Sequence, residues 1–196
     1  MNYERLTDQE IILLAREGRQ SAFRELIDRY QRPVFSLIYR LVRDRELAED
    51  LAQDTFIKVL NALDRYDPKF RFSSWVFKIA HNTALDALRR REPVMLSLDG
   101  SPHATTEDEA TASALTAVSH DPSPEDHAVQ RELGEEIEQG LAMLRPEYRT
   151  AIVLFHLEGL AYEEIAQVMG LPLGTVKTFI HRGRKELRAQ LAHLRC

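Results

Sequence analysis

The C-terminal part of the chain carries a cluster of basic side chains that could bind phosphate. Residues 173–196 contain one acidic residue, Glu186, and six basic ones: Lys177, Arg182, Arg184, Lys185, Arg188 and Arg195. A local excess of positive charge of this kind favours the phosphate backbone of a nucleic acid. Solvent-exposed helix ends without a ligand can be equally basic. Whether this cluster binds phosphate therefore depends on the elements that position it.

Two predicted helices joined by a short turn position this cluster. The first has apolar residues at helical spacing, namely Tyr162, Ile165, Ala166 and Met169, and Gly170 follows where a helix can end. The second has its apolar positions at Val176, Ile180, Leu187, Leu191 and Leu194. This pattern is typical of a helix-turn-helix, whose second helix lies in the major groove of DNA. A helical hairpin with a basic solvated face is the alternative.

The outer face of the second helix supplies the candidate DNA contacts. Near its N-terminus, the residues expected to reach base edges are Lys177, Thr178, His181 and Arg182. Further along, Arg184, Lys185 and Arg188 suit phosphate contacts better.

Residues 1–91 are predicted to form a bundle of four helices. Thr7 or Asp8 caps the first, and Pro33 separates two apolar stripes, Phe23, Leu26, Ile27 and Tyr30 from Phe35, Ile38, Tyr39 and Val42. A third helix runs from about Glu46 to Asp64, and a fourth from Ser73 or Ser74 to Arg91.

The faces of the last two of these helices follow from their apolar spacing. In the third helix we expect Leu47, Leu51, Ile57 and Leu60 to point inward, and Glu49, Asp50, Gln53 and Asp54 to point outward. In the fourth we expect the inward residues to be Val76, Ile79, Ala80, Thr83 and Ala87.

Length and charge limit the remaining possibilities. The chain has 196 residues and a net charge of -5, and its net acidity lies in residues 92–126, which hold 8 acidic and no basic residues. This segment lacks periodicity and predicts a flexible acidic linker, residues 92–127, between domains at 1–91 and 128–196. Cys196 is the single cysteine, so an internal disulfide is excluded. No apolar run is long enough to span a membrane, which favours a cytoplasmic protein.

Four ordered motifs resemble a known family. They are Glu49-Asp50-Leu51-Ala52-Gln53-Asp54-Thr55-Phe56, Phe72-Ser73-Ser74-Trp75-Val76-Phe77-Lys78-Ile79-Ala80-His81-Asn82, Leu144-Arg145-Pro146-Glu147-Tyr148-Arg149, and Tyr162-Glu163-Glu164-Ile165-Ala166 with Gly174-Thr175-Val176-Lys177. Together they resemble bacterial RNA polymerase sigma factors, most closely the extracytoplasmic-function group, which keeps sigma regions 2 and 4. The resemblance implies an all-α protein of two small helical domains that directs promoter-specific transcription and has no enzymatic activity, cofactor or metal.

The resemblance also implies roles for particular residues. In region 2, Asp50, Gln53, Asp54 and Phe56 would bind the clamp helices of the largest polymerase subunit, although Asp54 stands where the family more often has Glu. Minus-10 DNA would be bound as a single strand by Lys69, Arg71, Phe72 and Asn82. Trp75 is expected to pack in the core, and the roles of Tyr66 and Phe70 stay open. Region 4 would read the minus-35 element, with Phe179 where relatives commonly have Arg.

Further partners and two competing functions remain. The resemblance implies contact with the second-largest polymerase subunit and control by an anti-sigma factor. The linker would either mimic nucleic acid in a basic channel of the polymerase or act as a plain tether. One alternative is an autonomous helix-turn-helix regulator that binds DNA as a dimer. Another is a metal-dependent hydrolase, for which the candidate ligands are His81, Asp86, His103, His120 and His127.

Overall fold

The computed structural model describes residues 3–91 and 124–192. All regular secondary structure within these residues is helical. The all-α prediction is therefore confirmed. The first unit contains α1 (Asp8–Arg16), α2 (Gln20–Val42), α3 (Arg45–Ala62) and α4 (Phe72–Arg91), and the second contains α5 (Pro124–Met143), α6 (Pro146–His156), α7 (Tyr162–Met169) and α8 (Leu173–Gln190). Short 3-10 turns occupy Tyr3–Arg5 and Leu63–Arg65.

The first helix begins where a capping motif predicts. The side chain of Thr7 accepts a hydrogen bond from the backbone N–H of Glu10, while the Glu10 carboxylate accepts one from the backbone N–H of Thr7 at 2.7 Å. This reciprocal pair satisfies two donors that the helix itself leaves unpaired. The chain leaves α1 through Gly18, whose φ of 85° is strained for any residue with a side chain.

The predicted helix boundary at Pro33 is wrong. Residues 20–42 form one helix with Pro33 inside it, and the break between the first two helices falls at Gly18 instead. Proline removes one backbone hydrogen bond from a helix interior. Here the helix continues because residues on both sides of the proline are buried in the same core, among them Leu26, Val34 and Leu37.

The predicted inward face of α3 is only partly right. Leu51 is buried and Leu47 packs against the core, but Ile57 and Leu60 are 57% and 51% exposed. The buried face consists instead of small or β-branched residues, namely Ala48, Ala52, Thr55 and Val59, together with Leu51. Small side chains let α3 lie close to α2 and α4, so the larger Ile57 and Leu60 remain on the outer face. The outward prediction for Glu49, Asp50, Gln53 and Asp54 agrees with the structure.

The second unit contains the predicted helix-turn-helix. Gly170 ends α7 in the left-handed conformation with φ of 66°, and α8 starts at Leu173 after the cap residue Pro172. Val176 and Ile180 are buried, whereas the predicted inward residue Leu194 lies outside the described residues. Most of the predicted linker, residues 92–123, also lies outside them, and residues 124–127 belong to α5.

The two units pack against each other. α4 lies against α7, and α2 lies against α6. Polar contacts join them at two places: the Ser74 hydroxyl donates to Glu164 at 3.1 Å, and Arg40 pairs with Glu138. We call this packing the closed arrangement. Within residues 3–91 and 124–192, no helix is long and apolar enough to cross a membrane.

Candidate nucleic-acid interface

Hydrogen bonds from Arg16 and Tyr66 hold the loop between Leu63–Arg65 and α4 in place. The Arg16 guanidinium donates to the backbone oxygens of Leu63 at 2.8 Å and Tyr66 at 2.7 Å. The Tyr66 hydroxyl donates to the backbone oxygen of Phe70 at 2.6 Å. These bonds leave the loop backbone with a fixed shape while Lys69, Phe70 and Arg71 project into solvent. The loop can therefore present two cations and one aromatic ring to a ligand.

Phe72 faces inward, away from this surface. It is 3% exposed, and its ring lies 5.3 Å from Tyr30, 5.4 Å from Tyr66 and 5.7 Å from Trp75, measured between ring centroids. Such edge-to-face and tilted contacts stabilise an aromatic core. Both faces of Phe72 are thus covered by protein in this arrangement, and the packing expected for Trp75 is present. The exposed ring is that of Phe70, 46% exposed, for which the sequence left the role open.

A cleft of about 290 Å³ opens beside the aromatic cluster. Its lining includes Asp8, Tyr30 and Arg71 of the first unit and Glu158 of the second. Burial, followed by the hydrogen bond to Asp8, raises the pKa of the Tyr30 hydroxyl. Burial also raises the pKa of the Glu158 carboxyl. The cleft thus lies between the units and is bordered by one cation, Arg71, and two acids, Asp8 and Glu158.

The remaining minus-10 candidates are accessible. Lys69, Arg71 and Asn82 are exposed, and Arg71 Nε lies 3.6 Å from the Glu164 carboxylate of the second unit. The structure thus brings Lys69 and Arg71 together on the loop, whereas Asn82 lies three turns along α4 from Arg71.

The outer face of α8 displays most of the predicted minus-35 residues. Lys177, Thr178, His181, Arg182 and Lys185 are exposed. The Thr178 hydroxyl donates to the backbone oxygen of Gly174 at 2.9 Å, so its proton is already used. Phe179 packs against Tyr148 with ring centroids 5.3 Å apart, so this side chain makes an apolar contact inside the unit.

Arg184 is held by its neighbours more firmly than the other candidates. Its Nε donates to His156 Nε2 at 3.0 Å, and its guanidinium carbon lies 4.9 Å from the centre of the Phe155 ring. Phe155 in turn stacks on Tyr162 of α7. Burial and the adjacent Arg184 charge lower the pKa of His156, which favours the neutral imidazole that can accept this hydrogen bond. The arrangement fixes the Arg184 side chain across the helix-turn-helix.

A separate face of the first unit matches the predicted polymerase contact. Asp50, Gln53 and Asp54 are exposed on α3 and Phe56 is half-buried. Ile57 and Leu60 continue this face, because residues three, four and seven apart lie on one side of a helix. The sequence pattern missed them as surface residues, although Ile57 is seven positions from Asp50 and Leu60 is seven positions from Gln53. We call Asp50, Gln53, Asp54, Phe56, Ile57 and Leu60 the α3 face.

The geometry offers no support for a metal centre in the described residues. No group of three or more potential ligands of the His, Cys, Asp and Glu types comes together there. Of the candidate ligands, His81 is buried in α4 and Asp86 is exposed on the same helix. His103 and His120 lie outside the described residues, and His127 lies in the part of α5 whose side chains are not described.

Two family descriptions match the two units. Sigma-70 region 2 matches residues 26–93, and Sigma-70 region 4 matches residues 134–187. Among curated relatives, the ECF RNA polymerase sigma factor SigW of Bacillus subtilis (strain 168) is 37% identical over 179 residues, covering 91% of this chain and 94% of that protein. The ECF RNA polymerase sigma-E factor of Escherichia coli (strain K12) is 36% identical over 186 residues, covering 94% of each.

Solved structures show the same fold. CnrH, solved in complex with the cytosolic domain of CnrY, has a TM-score of 0.66 and 26% identity, covering 95% of this chain and 97% of CnrH. The sigma factor RpoE from Bartonella quintana, solved with the anti-sigma factor NepR, has a TM-score of 0.63 and 25% identity, covering 87% and 96%. The similarity spans both helical units in the same order, and the chain therefore belongs to the extracytoplasmic-function (ECF) family of RNA polymerase sigma factors.

Proposed function

We propose that this chain is an alternative sigma factor that binds core RNA polymerase and directs initiation at particular promoters, without catalysing a reaction itself. The observation that carries the proposal is the presence, in one ECF family member, of an exposed α3 face, a basic loop beside α4 and a basic helix-turn-helix. The chain acts in the cytoplasm, where the polymerase works. Region 2 occupies 1–91 and region 4 occupies 128–196, and the linker 92–127 joins them, with its last four residues already part of α5.

The α3 face binds the clamp helices of the largest polymerase subunit. Its acids and amide suit a basic partner, and charge complementarity increases the rate and specificity of association. Ile57 and Leu60 add apolar surface to this face. When a partner covers that surface, its removal from water stabilises the complex by about 25 cal/mol per Å². The face thus combines an electrostatic edge with an apolar one. The second-largest polymerase subunit is a further partner of this chain.

The two DNA-binding surfaces divide the promoter between them. Lys177, His181 and Arg182 on α8 reach base edges of the minus-35 element, with Thr178 beside them, while Arg184 and Lys185 hold phosphates. Lys69, Arg71 and Asn82 bind the separated strand at the minus-10 element, and the buried Phe72 supports the loop that carries Lys69 and Arg71. Binding to single strands more strongly than to duplex makes strand separation more favourable, since the melted strand is captured. DNA binding weakens steeply with salt because it depends on phosphate contacts.

Control by an anti-sigma factor is part of the proposal. Among the similar solved structures, CnrH is in complex with the cytosolic domain of CnrY, and RpoE is in complex with the anti-sigma factor NepR. A protein that covers the α3 face of this chain would exclude core polymerase by the same contacts.

The first test is run-off transcription on genomic fragments with purified core polymerase, combined with a binding assay for core. Asp54→Lys and Ile57→Ser should each weaken core binding by about tenfold or more, as expected for residues inside an interface. Both side chains are exposed, so the fold should not change.

Matched controls are Asp28→Lys, an exposed acid of α2, and Leu13→Ser, an exposed apolar residue of α1. These should bind core as the unmodified protein does. The proposal would be contradicted if the variants of the α3 face bound core and supported transcription normally. Binding of DNA by a dimer of this chain without polymerase would also contradict it and would favour an autonomous regulator.

A further inference from the structure

A carboxylate of the second unit lies at the N-terminal end of α4. Glu164 Oε1 accepts a hydrogen bond from the Ser74 hydroxyl at 3.1 Å, and Arg71 Nε lies 3.6 Å from the same oxygen. Ser74 is 3% exposed and the Glu164 side chain 16% exposed, so water is largely excluded from the hydrogen bond. The first turn of a helix favours negative charge. Glu164 thus has a cation, a hydroxyl and a helix N-terminus around one oxygen, as a bound phosphate would.

A second acid approaches the same loop. Glu158 lines the cleft that Arg71, Phe72 and Ser73 border from the other side. Both Glu158 and Glu164 belong to the second unit, whereas the loop and α4 belong to the first. The basic loop of the first unit is therefore faced by two acids of the second in the closed arrangement.

We propose that Glu164 competes within the molecule with the backbone of single-stranded DNA, and that Arg71 and Ser74 form the phosphate subsite that it fills. The inference rests on the proposed function, because it assumes that this loop binds a single strand. Closure and DNA binding use the same two side chains, so each excludes the other. A phosphate enters only when α7 moves away from α4.

The competition is one of several forces that hold the units together. Arg40 also pairs with Glu138, and Arg149 Nη1 donates to the backbone oxygen of Arg40 at 2.8 Å. Removing the Glu164 charge therefore shifts the balance toward the open form and does not abolish closure.

Glu164→Gln is a suitable variant because the glutamate has a second role. Its Oε2 accepts a hydrogen bond from the backbone N–H of Ala161 at 2.8 Å at the start of α7. Glutamine fills this capping position equally well, so α7 keeps its cap and loses only the charge. The matched control is Glu163→Gln, which removes the same charge from the adjacent exposed position of the same helical turn.

The experiment measures two quantities on the full chain. The first is binding of a short mixed-sequence single-stranded DNA by fluorescence anisotropy. The second is the distance between spin labels on cysteines introduced at the exposed positions Asn61 and Gln167, with Cys196→Ser. Glu164→Gln should bind the strand about fivefold more tightly, the upper end of the effect expected from losing one partly exposed ion pair, and should widen the distance distribution. Glu163→Gln should change neither beyond a small uniform charge effect.

The outcomes separate the inference from the proposed function. Equal DNA affinities for Glu164→Gln and Glu163→Gln, together with normal transcription by the holoenzyme, would overturn the inference alone. Absence of single-strand binding by every variant would also overturn it, and if core polymerase then gave no promoter-specific transcript, the proposed function would fall with it. Tighter binding by Glu164→Gln that disappears on adding Ser74→Ala would support the subsite.

Discussion

At the scale of single residues, His81 shows how burial decides a role that the residue type leaves open. A histidine beside the candidate DNA-binding helix residues could bind metal or titrate near neutral pH. In the structure it is buried, and its Nδ1 atom has no hydrogen-bond partner in the described part of the chain. Desolvation lowers the pKa of His81 to about 4. The side chain is therefore a neutral core residue at physiological pH.

This shift predicts a pH dependence of stability. The pKa of His81 is lower in the folded chain than the usual 6.5, so the unfolded chain binds more protons as the pH falls below 6.5. The contribution of neutral His81 to the unfolding free energy is therefore lost as the pH falls toward 4. Between pH 7 and pH 5 we expect the unmodified protein to lose about 2 kcal/mol more of its unfolding free energy than His81→Gln does. Urea unfolding at both pH values measures this. Parallel losses in the two proteins would contradict it.

At the scale of elements, the packing of α6 on α8 depends on the absence of a side chain. A Cβ atom at Gly183 would lie 2.9 Å from Ile152 Cγ1 and 3.3 Å from Tyr148 Cβ. A Cβ atom in a protein essentially never lies as close as 2.9 Å to another carbon, so α8 would have to move away from α6. The position of the basic outer face of α8 thus depends on a glycine on the buried side of the helix.

Gly183→Ala should destabilise the second unit although alanine is the better helix former. In a helix interior, alanine stabilises the folded chain by about 1 kcal/mol relative to glycine. Forcing an extra methyl group into a close-packed contact destabilises it by typically about 1–3 kcal/mol. We expect a net loss of up to about 2 kcal/mol in unfolding free energy, measured by thermal or urea unfolding. Gly174→Ala is the control, because no atom lies within 4 Å of its added Cβ, and it should be neutral or slightly stabilising. An equal effect of both substitutions would refute the packing argument.

At the scale of the whole molecule, polar contacts at two places join the units: Glu164 with Ser74 and Arg71, and the group of Arg40, Glu138 and Arg149. Arg149 is central to one of them: its guanidinium donates to the backbone oxygens of Leu141, Ala142 and Leu144 at the end of α5 and to that of Arg40 in α2. Cations favour the carbonyl ends of helices. Burial, then the nearby Arg43 charge, lowers the pKa of Arg149. One guanidinium thus serves helix ends in both units.

The neighbouring pair of Arg40 and Glu138 should make only a modest contribution to closure. The Glu138 side chain is 44% exposed, and pairs of this kind contribute about 0.2–1 kcal/mol. Glu138→Gln should therefore raise the open population by no more than about fivefold, with a modest increase in the radius of gyration measured by small-angle scattering. Glu135→Gln, an exposed acid of the same helix, is the control. A fully extended chain with Glu138→Gln alone would show that this pair dominates closure.

Much of the fold follows from the sequence by itself. Periodicity of 3.6 residues gives helices, the Thr7 and Glu10 pair marks the start of α1, and Gly170 marks the end of α7, because these signals act over one or two turns. The exposed acids of α3 and the basic face of α8 follow in the same way, since helical spacing assigns each residue to a side.

Tertiary structure decided what depends on neighbours distant in the chain. Pro33 stays within a helix because the core packs on both of its sides, and Ile57 and Leu60 face outward because Ala48, Ala52 and Val59 fill the close contacts with other helices. Phe72 enters an aromatic core that residues 30 and 66 complete. The meeting of Glu164 with Ser74 joins residues 90 positions apart. No local spacing encodes such contacts, because they arise only when separate helices compete for the same space.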